Sequence, residues 1–380
     1  MKVHITLVGG QPMPVYHGII ASEPDKVIFI YSKNSKKVLN LIKPEVQTKN
    51  IPFEEKEVDP IDLNDIREKV QACANTVKDD DVSVNISSGT KPWAFYFAKV
   101  FGSMPNATIF YVDQNNVCWD MSGLSKKTIP FDMDALFRLR GNPLKFFKLY
   151  DSYTSKDKAA MAQFEDFRAQ CYRHYKLTIL NNLTALLTED SDNQLADQQH
   201  GVFRDAASQS YVQWDKGKSV HIEITKDNNP LVLNLSSPHV EDIVFHSGWF
   251  ELKVADILSR WSKAKKIRMN CLFPEKNAKD SEVREKLKNE IDIIVQTDSK
   301  PVFVECKAGK FNSTDINKFQ SAVEIYGGHG SKSILITGGK LLKGQMEKLK
   351  EANIMYFSLA FQKEEALFEL LDKNLYNTNI

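Results

Sequence analysis

The sequence carries no excess of either charge: across 380 residues, 50 Lys and Arg stand against 49 Asp and Glu, a formal net charge of +1. That balance excludes a polybasic protein that adheres to nucleic acid over its whole surface, and equally an acidic solvating tail, so any anion binding must be local. Long apolar runs are missing too. No stretch approaches the roughly 18 uninterrupted apolar residues of a membrane span. The strand-like start, Val3 to Val8, is ended by Gly9-Gly10-Gln11, far short of a signal-peptide core. A soluble, unexported protein with no membrane partner is therefore expected. The five cysteines (Cys73, Cys118, Cys171, Cys271, Cys306) are odd in number and form no CxxC pair. They indicate neither a disulfide framework nor a structural zinc site, and the expected compartment is the reducing cytoplasm. The eight histidines lack metal-ligand spacing, and neither GxGxxG nor GxxxxGK[ST] occurs. Dinucleotide cofactors and ATP hydrolysis are thus unsupported.

What is present is an ordinary globular composition, 42% apolar and 10% aromatic, at a length that suggests two or three domains. From the start, short β-branched runs alternate with helix-period segments: strands near Val3–Val8, Val27–Tyr31, Phe53–Val58, Val82–Ile86, Thr108–Val112 and Val117–Met121, with helices between. Such alternation predicts parallel pairing through right-handed crossovers, a doubly wound α/β domain over residues 1–135. Residues 136–240 read as a helical linker, with Phe146, Phe147, Tyr150, Phe164, Phe167 and Tyr172 on amphipathic segments, followed by a small β insertion. A third pattern, residues 241–380, runs helix, strand, two strands, helix, strand, helix.

The sharpest signal lies in that third segment. Glu290-Ile291-Asp292-Ile293-Ile294-Val295-Gln296, the turn-like Thr297-Asp298-Ser299-Lys300, and Pro301-Val302-Phe303-Val304-Glu305-Cys306-Lys307 make a β-hairpin. A four-residue turn sets Asp292 opposite Glu305 and Glu290 opposite Lys307. Strict alternation points these four to one face and Ile291, Ile293, Val304 and Cys306 to the other. Opposed β-carbons lie about 5 Å apart. Two carboxylates at that separation repel each other, and burying them unpaired is costly. A divalent cation resolves the conflict, and hard oxygen ligands with room for water and a phosphate oxygen suit Mg²⁺ or Mn²⁺. Lys307 can stabilise charge on the phosphate or position the attacking water, so metal-assisted phosphodiester hydrolysis is the implied reaction. A plain cross-strand ion pair between Glu290 and Lys307 is the structural alternative.

These residues resemble the PD-(D/E)xK nuclease superfamily and its restriction-endonuclease-like fold. The resemblance implies a first-helix acid at Glu251, within Gly248-Trp249-Phe250-Glu251, the strand acid at Asp292, and the ExK at Glu305-Cys306-Lys307. It implies catalytic roles for Glu251, Asp292, Glu305 and Lys307. The metal ligands it implies are Glu251, Asp292, Glu305 and the backbone carbonyl of Cys306. Ile291 stands where the superfamily's name has Pro. Lys318 and Gln320, on the following helix, occupy positions where polar residues can face such a site, and Lys263-Ala264-Lys265-Lys266-Ile267-Arg268 could supply phosphate contacts near the cleft.

Two strand ends of the first domain carry small polar residues, Val8-Gly9-Gly10-Gln11-Pro12-Met13-Pro14 and Asn85-Ile86-Ser87-Ser88-Gly89-Thr90-Lys91-Pro92-Trp93. In a sheet of order 3-2-1-4-5-6 these loops converge at the topological switch point, where ligands bind. The second leads into a helix whose free N–H groups, with the Thr90 hydroxyl and Lys91 ammonium, would favour a phosphate. Tyr16 and Trp93 are candidates to stack on a base, and His17 is a candidate beside the first loop.

Both loops are similar to those of CARF domains, the Rossmann-like sensors of cyclic oligoadenylates in type III CRISPR defence. A CARF domain joined through a small insertion to a PD-(D/E)xK domain resembles the CRISPR ancillary nucleases activated by cyclic tetra-adenylate. The resemblance implies a cytoplasmic homodimer that holds one cyclic tetra-adenylate across its two-fold axis. The ligand residues it implies are Gly9, Gly10, Gln11, Pro12 and Met13 of the first loop and Ser87, Ser88, Gly89, Thr90 and Lys91 of the second. It further implies a Mn²⁺- or Mg²⁺-dependent endonuclease acting on single-stranded RNA or DNA, or nicking duplex DNA, in antiviral defence. A non-catalytic, nucleic-acid-binding regulator and a CARF ring nuclease that degrades its own messenger stay open as alternatives.

Overall fold

The computed structural model describes residues 1–185, 198–226, 229–275, 287–328 and 330–376. A solvated loop expected at 189–193 lies outside the described residues.

The first domain is built from β1 (Lys2–Leu7), α1 (Pro12–Ser22), β2 (Lys26–Tyr31), α2 (Lys36–Gln47), β3 (Phe53–Glu57), α3 (Leu63–Thr76), β4 (Asp81–Asn85), α4 (Lys91–Phe101), β5 (Ala107–Val112), β6 (Val117–Asp120) and β7 (Lys126–Thr128). Its sheet has the order β3-β2-β1-β4-β5-β6-β7. The first five strands are parallel as the alternation predicts, whereas β5 to β7 form an antiparallel meander because only a short turn separates them. β-branched side chains fill both faces: Val3, Ile5 and Leu7 pack with α3 and α4, while Val27, Phe29 and Tyr31 pack with α1 and α2.

α5 (Met133–Leu139) joins this domain to the rest of the chain. Ala135 and Leu139 enter the core beneath α1 and α2, and Met133, Leu136 and Phe137 enter the core of the C-terminal sheet. One two-turn helix thus has a face in each domain. Arg268, 1% exposed, bonds through its guanidinium to Asp134 on this helix.

The next elements are β8 (Phe146–Leu149), α6 (Ser155–Arg173), α7 (Leu177–Ala185), β9 (His200–Arg204), β10 (Tyr211–Asp215), β11 (Ser219–Ile224) and β12 (Leu231–Leu235). The last four make an antiparallel sheet of order β12-β11-β10-β9. Phe164 and Phe167 lie on α6, as their spacing suggests. Phe146 and Phe147, expected on a helix, instead belong to β8, an edge strand paired with β13 of the C-terminal sheet, and Tyr150 follows it in a short 3-10 turn. Pairing partners more than a hundred residues away override the local periodicity there.

The C-terminal domain comprises α8 (Val240–Val244), α9 (Gly248–Ser259), β13 (Lys266–Pro274), β14 (Leu287–Gln296), β15 (Pro301–Lys307), α10 (Ser313–Tyr326), β16 (Lys332–Thr337), α11 (Lys343–Glu351), β17 (Met355–Ser358) and α12 (Glu364–Tyr376). Its sheet, β17-β16-β15-β14-β13-β8, is antiparallel from β8 to β15 and parallel from β15 to β17. α9 and α12 cover one face; α10, α11 and α5 cover the other. The run α9-β13-β14-β15-α10-β16 keeps the order of helix, strands, helix and strand expected from the sequence. No described helix is long and apolar enough to cross a membrane. All five cysteines are buried and unpaired.

Candidate active site and ligand-binding edge

The hairpin register follows from its turn. Thr297 N–H donates to the Lys300 carbonyl at 3.2 Å, and Gln296, Val295, Ile294 and Ile293 pair in order with Pro301, Val302, Phe303 and Val304. Continued one step, this register sets Asp292 opposite Glu305. There the ladder stops. The Cys306 N–H donates to Asp292 Oδ2 at 2.7 Å instead of to a strand carbonyl. Because N–H and C=O of one extended residue share an edge, the Cys306 carbonyl faces the same opening. Lys307 Nζ sits 2.8 Å from Glu305 Oε1, and the side chain of Glu305 is 14% exposed.

Alternation fails at one place. Ile293, Val304 and Cys306 pack on the α9 side as expected, but Ile291 packs on the α10 side. In β13, Met269 and Cys271 divide in the same way. Each strand therefore carries an irregularity, at Asp292 and at Asn270, where the β13–β14 pairing skips from Met269–Ile293 to Cys271–Ile291. Asn270 has φ +49°, the left-handed region that Asn tolerates better than other non-glycine residues. Glu290 pairs with Leu272 of β13, and the β14–β15 ladder ends before it reaches Lys307, so the expected cross-strand pairing of those two does not form.

The electrostatics mark this opening as charged and desolvated. Burial pushes the Asp292 carboxyl up to about 6, against the pull of Lys307 and the Cys306 N–H. Burial and the Asp292 charge push Glu305 up to about 7. Glu251, from the first turn of α9, lies well above the usual carboxylate range through burial and the charges of Asp292, Glu290 and Glu305. Glu305 and Asp292 raise the Lys307 pKa against the effect of its burial. Glu251, Asp292, Glu305 and Lys307 are thus brought into one electrostatic unit. Among the described residues no three His, Cys, Asp or Glu side chains form a preformed metal cage. Two half-buried carboxylates whose charges oppose each other, beside a strand carbonyl, are nonetheless a hard-oxygen donor set that fits Mg²⁺ or Mn²⁺.

The basic run expected near the cleft lies elsewhere. Lys266 pairs with Gln296 and Lys265 reaches Asp298 at 3.5 Å, so the basic run sits at the turn end of the hairpin, a strand length from Glu305. Gln320 Nε2 donates to Glu324 along α10, and Lys318 is exposed. Sequence reasoning missed Asp315, at the start of α10, whose charge acts on both Glu305 and Lys307. It also missed Asn270, whose Nδ2 donates to Glu251 Oε2 at 3.3 Å. An Asn between the buried Met269 and Cys271 was the available signal.

At the other end of the molecule the two small-residue loops meet beyond β1 and β4. Gly9 N–H donates to Ser88 Oγ at 3.0 Å. A β-carbon on Gly9 would come within 2.5 Å of the Gly89 nitrogen, and Gly89, at φ +82°, lies against Leu7 and Trp93. Gly10, Gln11, Gly89 and Lys91 are exposed along this edge. Several expected ligand groups are committed to the fold instead. Thr90 Oγ1 donates to the Pro60 carbonyl and caps α4 by accepting from Trp93 N–H, and Pro92 has no N–H, so the helix end offers few free donors. Ser87 Oγ bonds to Asn85 and accepts from Val112 N–H. Pro12 is buried and Met13 packs against the cores of both domains. Tyr16 and Trp93 are core residues at 5% and 1% exposure, which removes them as stacking platforms, and His17 is buried with its pKa lowered to about 4 by desolvation.

This arrangement joins a Rossmann-like domain with two convergent loops to a mixed sheet with an acidic opening. Residues 3–133 match the family model of the Card1 CARF domain, and the N-terminal domain is a CARF domain. Over nearly its full length the fold is similar to that of Can2 from Sulfobacillus thermosulfidooxidans in complex with cyclic tetra-adenylate (17% identity, 98% of this chain and 99% of that chain, TM-score 0.66). It is also similar to that of protein VC1899 from Vibrio cholerae (14% identity, 98% of this chain and 97% of that chain, TM-score 0.71). No curated protein matches the sequence.

Proposed function

We propose that the protein is a cyclic tetra-adenylate-activated, divalent-metal-dependent endonuclease of type III CRISPR antiviral defence, acting as a homodimer. The observation that carries the nuclease reading is the end of the hairpin: Asp292 takes the Cys306 N–H at 2.7 Å while Lys307 pairs with Glu305 at 2.8 Å. Asp292, Glu305 and the Cys306 carbonyl, with Glu251, would hold Mn²⁺ or Mg²⁺. The bound ion would offset their mutual repulsion and activate water and the scissile phosphate. The chain's own contributions are positional and electrostatic. Asp292 is oriented by the Cys306 N–H, and Lys307, paired with Glu305, presents a positive charge for the phosphate.

The messenger reading rests on the convergent loops of a CARF domain, with Gly10, Gln11, Gly89 and Lys91 open to a ligand. Degradation of the messenger by Thr90 has little support, because its hydroxyl is engaged at both ends. A hydrogen-bonded route supports gating. Ser87 Oγ accepts from Val112 N–H at the end of β5. Asn116, in the turn that follows, donates through Nδ2 to the Ser299 carbonyl in the hairpin turn, and Lys300 Nζ donates to Asn115 Oδ1 at 3.3 Å. That hairpin carries Asp292 and Glu305. Glu305→Ala and Lys307→Ala are expected to abolish cleavage of labelled oligonucleotides while cyclic tetra-adenylate still binds; undiminished cleavage in either variant would refute the site.

A further inference from the structure

The paired irregularity in β13 and β14 gives one polar side chain no role in the sheet. Asn270 lies mid-strand between the buried Met269 and Cys271, in the left-handed region, where an ordinary strand residue would be strained. Its partner position across the ladder is Asp292. Its amide does not serve the ladder: Nδ2 donates to Glu251 Oε2 at 3.3 Å, linking β13 to the first turn of α9. Without the irregularity, Asn270 would share a face with Arg268, on the side away from α9, and could not reach this acid.

We infer that Asn270 is a positioning residue that holds the Glu251 carboxylate toward Asp292 and Glu305, so that the acids are arranged before a cation arrives. This rests on the metal-site reading proposed above. Three considerations carry it. Glu251 is desolvated among like charges, so its own preference is to turn away; a single neutral donor at its Oε2 opposes that without removing its charge. The donor is neutral, so it does not compete for the carboxylate as Lys307 does for Glu305. Finally, the irregularity occurs at the same level in both strands, so the backbone change that frees Asp292 from the ladder also aims Asn270 at Glu251.

The test is a double-mutant cycle on Mn²⁺ binding, measured by calorimetry on the full-length, metal-free protein. Asn270→Gly keeps the left-handed backbone and deletes the amide. It is expected to weaken Mn²⁺ binding about tenfold, the scale of losing a group that orients a ligand. In the Glu251→Gln background the same substitution is expected to change nothing further, because its effect passes through Glu251. Should the glycine variant fail to fold, Asn270→Ala deletes the amide without adding a charge, and the same non-additivity is expected. Cyclic tetra-adenylate affinity, read in parallel, is expected to stay unchanged. Wild-type Mn²⁺ affinity in Asn270→Gly, or an equal loss in both backgrounds, would overturn the inference alone. A wild-type protein with no Asp292-dependent Mn²⁺ site would overturn the nuclease reading and this inference with it.

Discussion

Removing a charge from the candidate site should stabilise the metal-free protein. Asp292 titrates at about 6 instead of its ordinary 3.8, and Glu305 at about 7 instead of 4.5, both through burial. For each acid the folded state holds its proton more tightly than the unfolded state does, so stability is greatest below about pH 4 and falls as pH rises through about 7. At about 1.4 kcal/mol per unit, the shift of Asp292 alone corresponds to roughly 3 kcal/mol at pH 8. The two acids interact, so their contributions do not add. Asp292→Asn keeps an oxygen to accept the Cys306 N–H and deletes the charge. With chelator at pH 8 the variant should melt higher than wild type, by up to about 10 °C in the C-terminal transition at roughly 2–4 °C per kcal/mol; near pH 4 the difference should vanish. Adding Mn²⁺ should reverse the order, because only the wild type binds it. Scanning calorimetry or fluorescence melts at several pH values measure this directly. A variant that melts at or below wild type at pH 8 without metal would refute the claim that these carboxylates are held in a costly, cation-demanding arrangement.

Further predictions concern the two ends of the molecule and the joint between them. Asn116→Ala removes the bond to the hairpin turn and should lower the ratio of messenger-stimulated to basal cleavage about fivefold. Gly89→Ala forces a β-carbon against Leu7 and Trp93 at a left-handed position, and should cost about 1–3 kcal/mol and weaken messenger binding, read by melting and by calorimetry. Asp134→Ala strands the buried Arg268 without its carboxylate and should destabilise by about 3–5 kcal/mol, visible in chemical unfolding, whereas Asp134→Glu should largely preserve stability.

How much of this was legible in the sequence depends on what fixes each feature. The hairpin register was legible because a four-residue turn between two apolar runs admits one pairing, and the pairing put Asp292 and Glu305 together. The failure at Ile291 was not, because it depends on a cross-strand irregularity shared with Asn270, some twenty residues away. The convergence of the two N-terminal loops followed from strand order, a property of the βαβ alternation. The commitments of Thr90 to Pro60 and of Ser87 to Val112 did not, because each is made by a partner more than twenty residues distant. Lys263 to Arg268 misled for the reverse reason: a basic run beside the hairpin strands in sequence reaches only the turn end of the hairpin in space, and Arg268 is spent on Asp134. The charge balance of 50 against 49 also takes on a meaning at the site, where the acids outnumber the single Lys307 and leave room for a cation.

The most direct test of the central claim is a single gel in which supercoiled plasmid, single-stranded DNA and single-stranded RNA are each incubated with the purified protein and Mn²⁺, with and without cyclic tetra-adenylate. The account predicts cleavage of at least one substrate only when messenger and metal are both present. Equal cleavage without the messenger would contradict the gating, and intact substrates in every lane would contradict the nuclease itself.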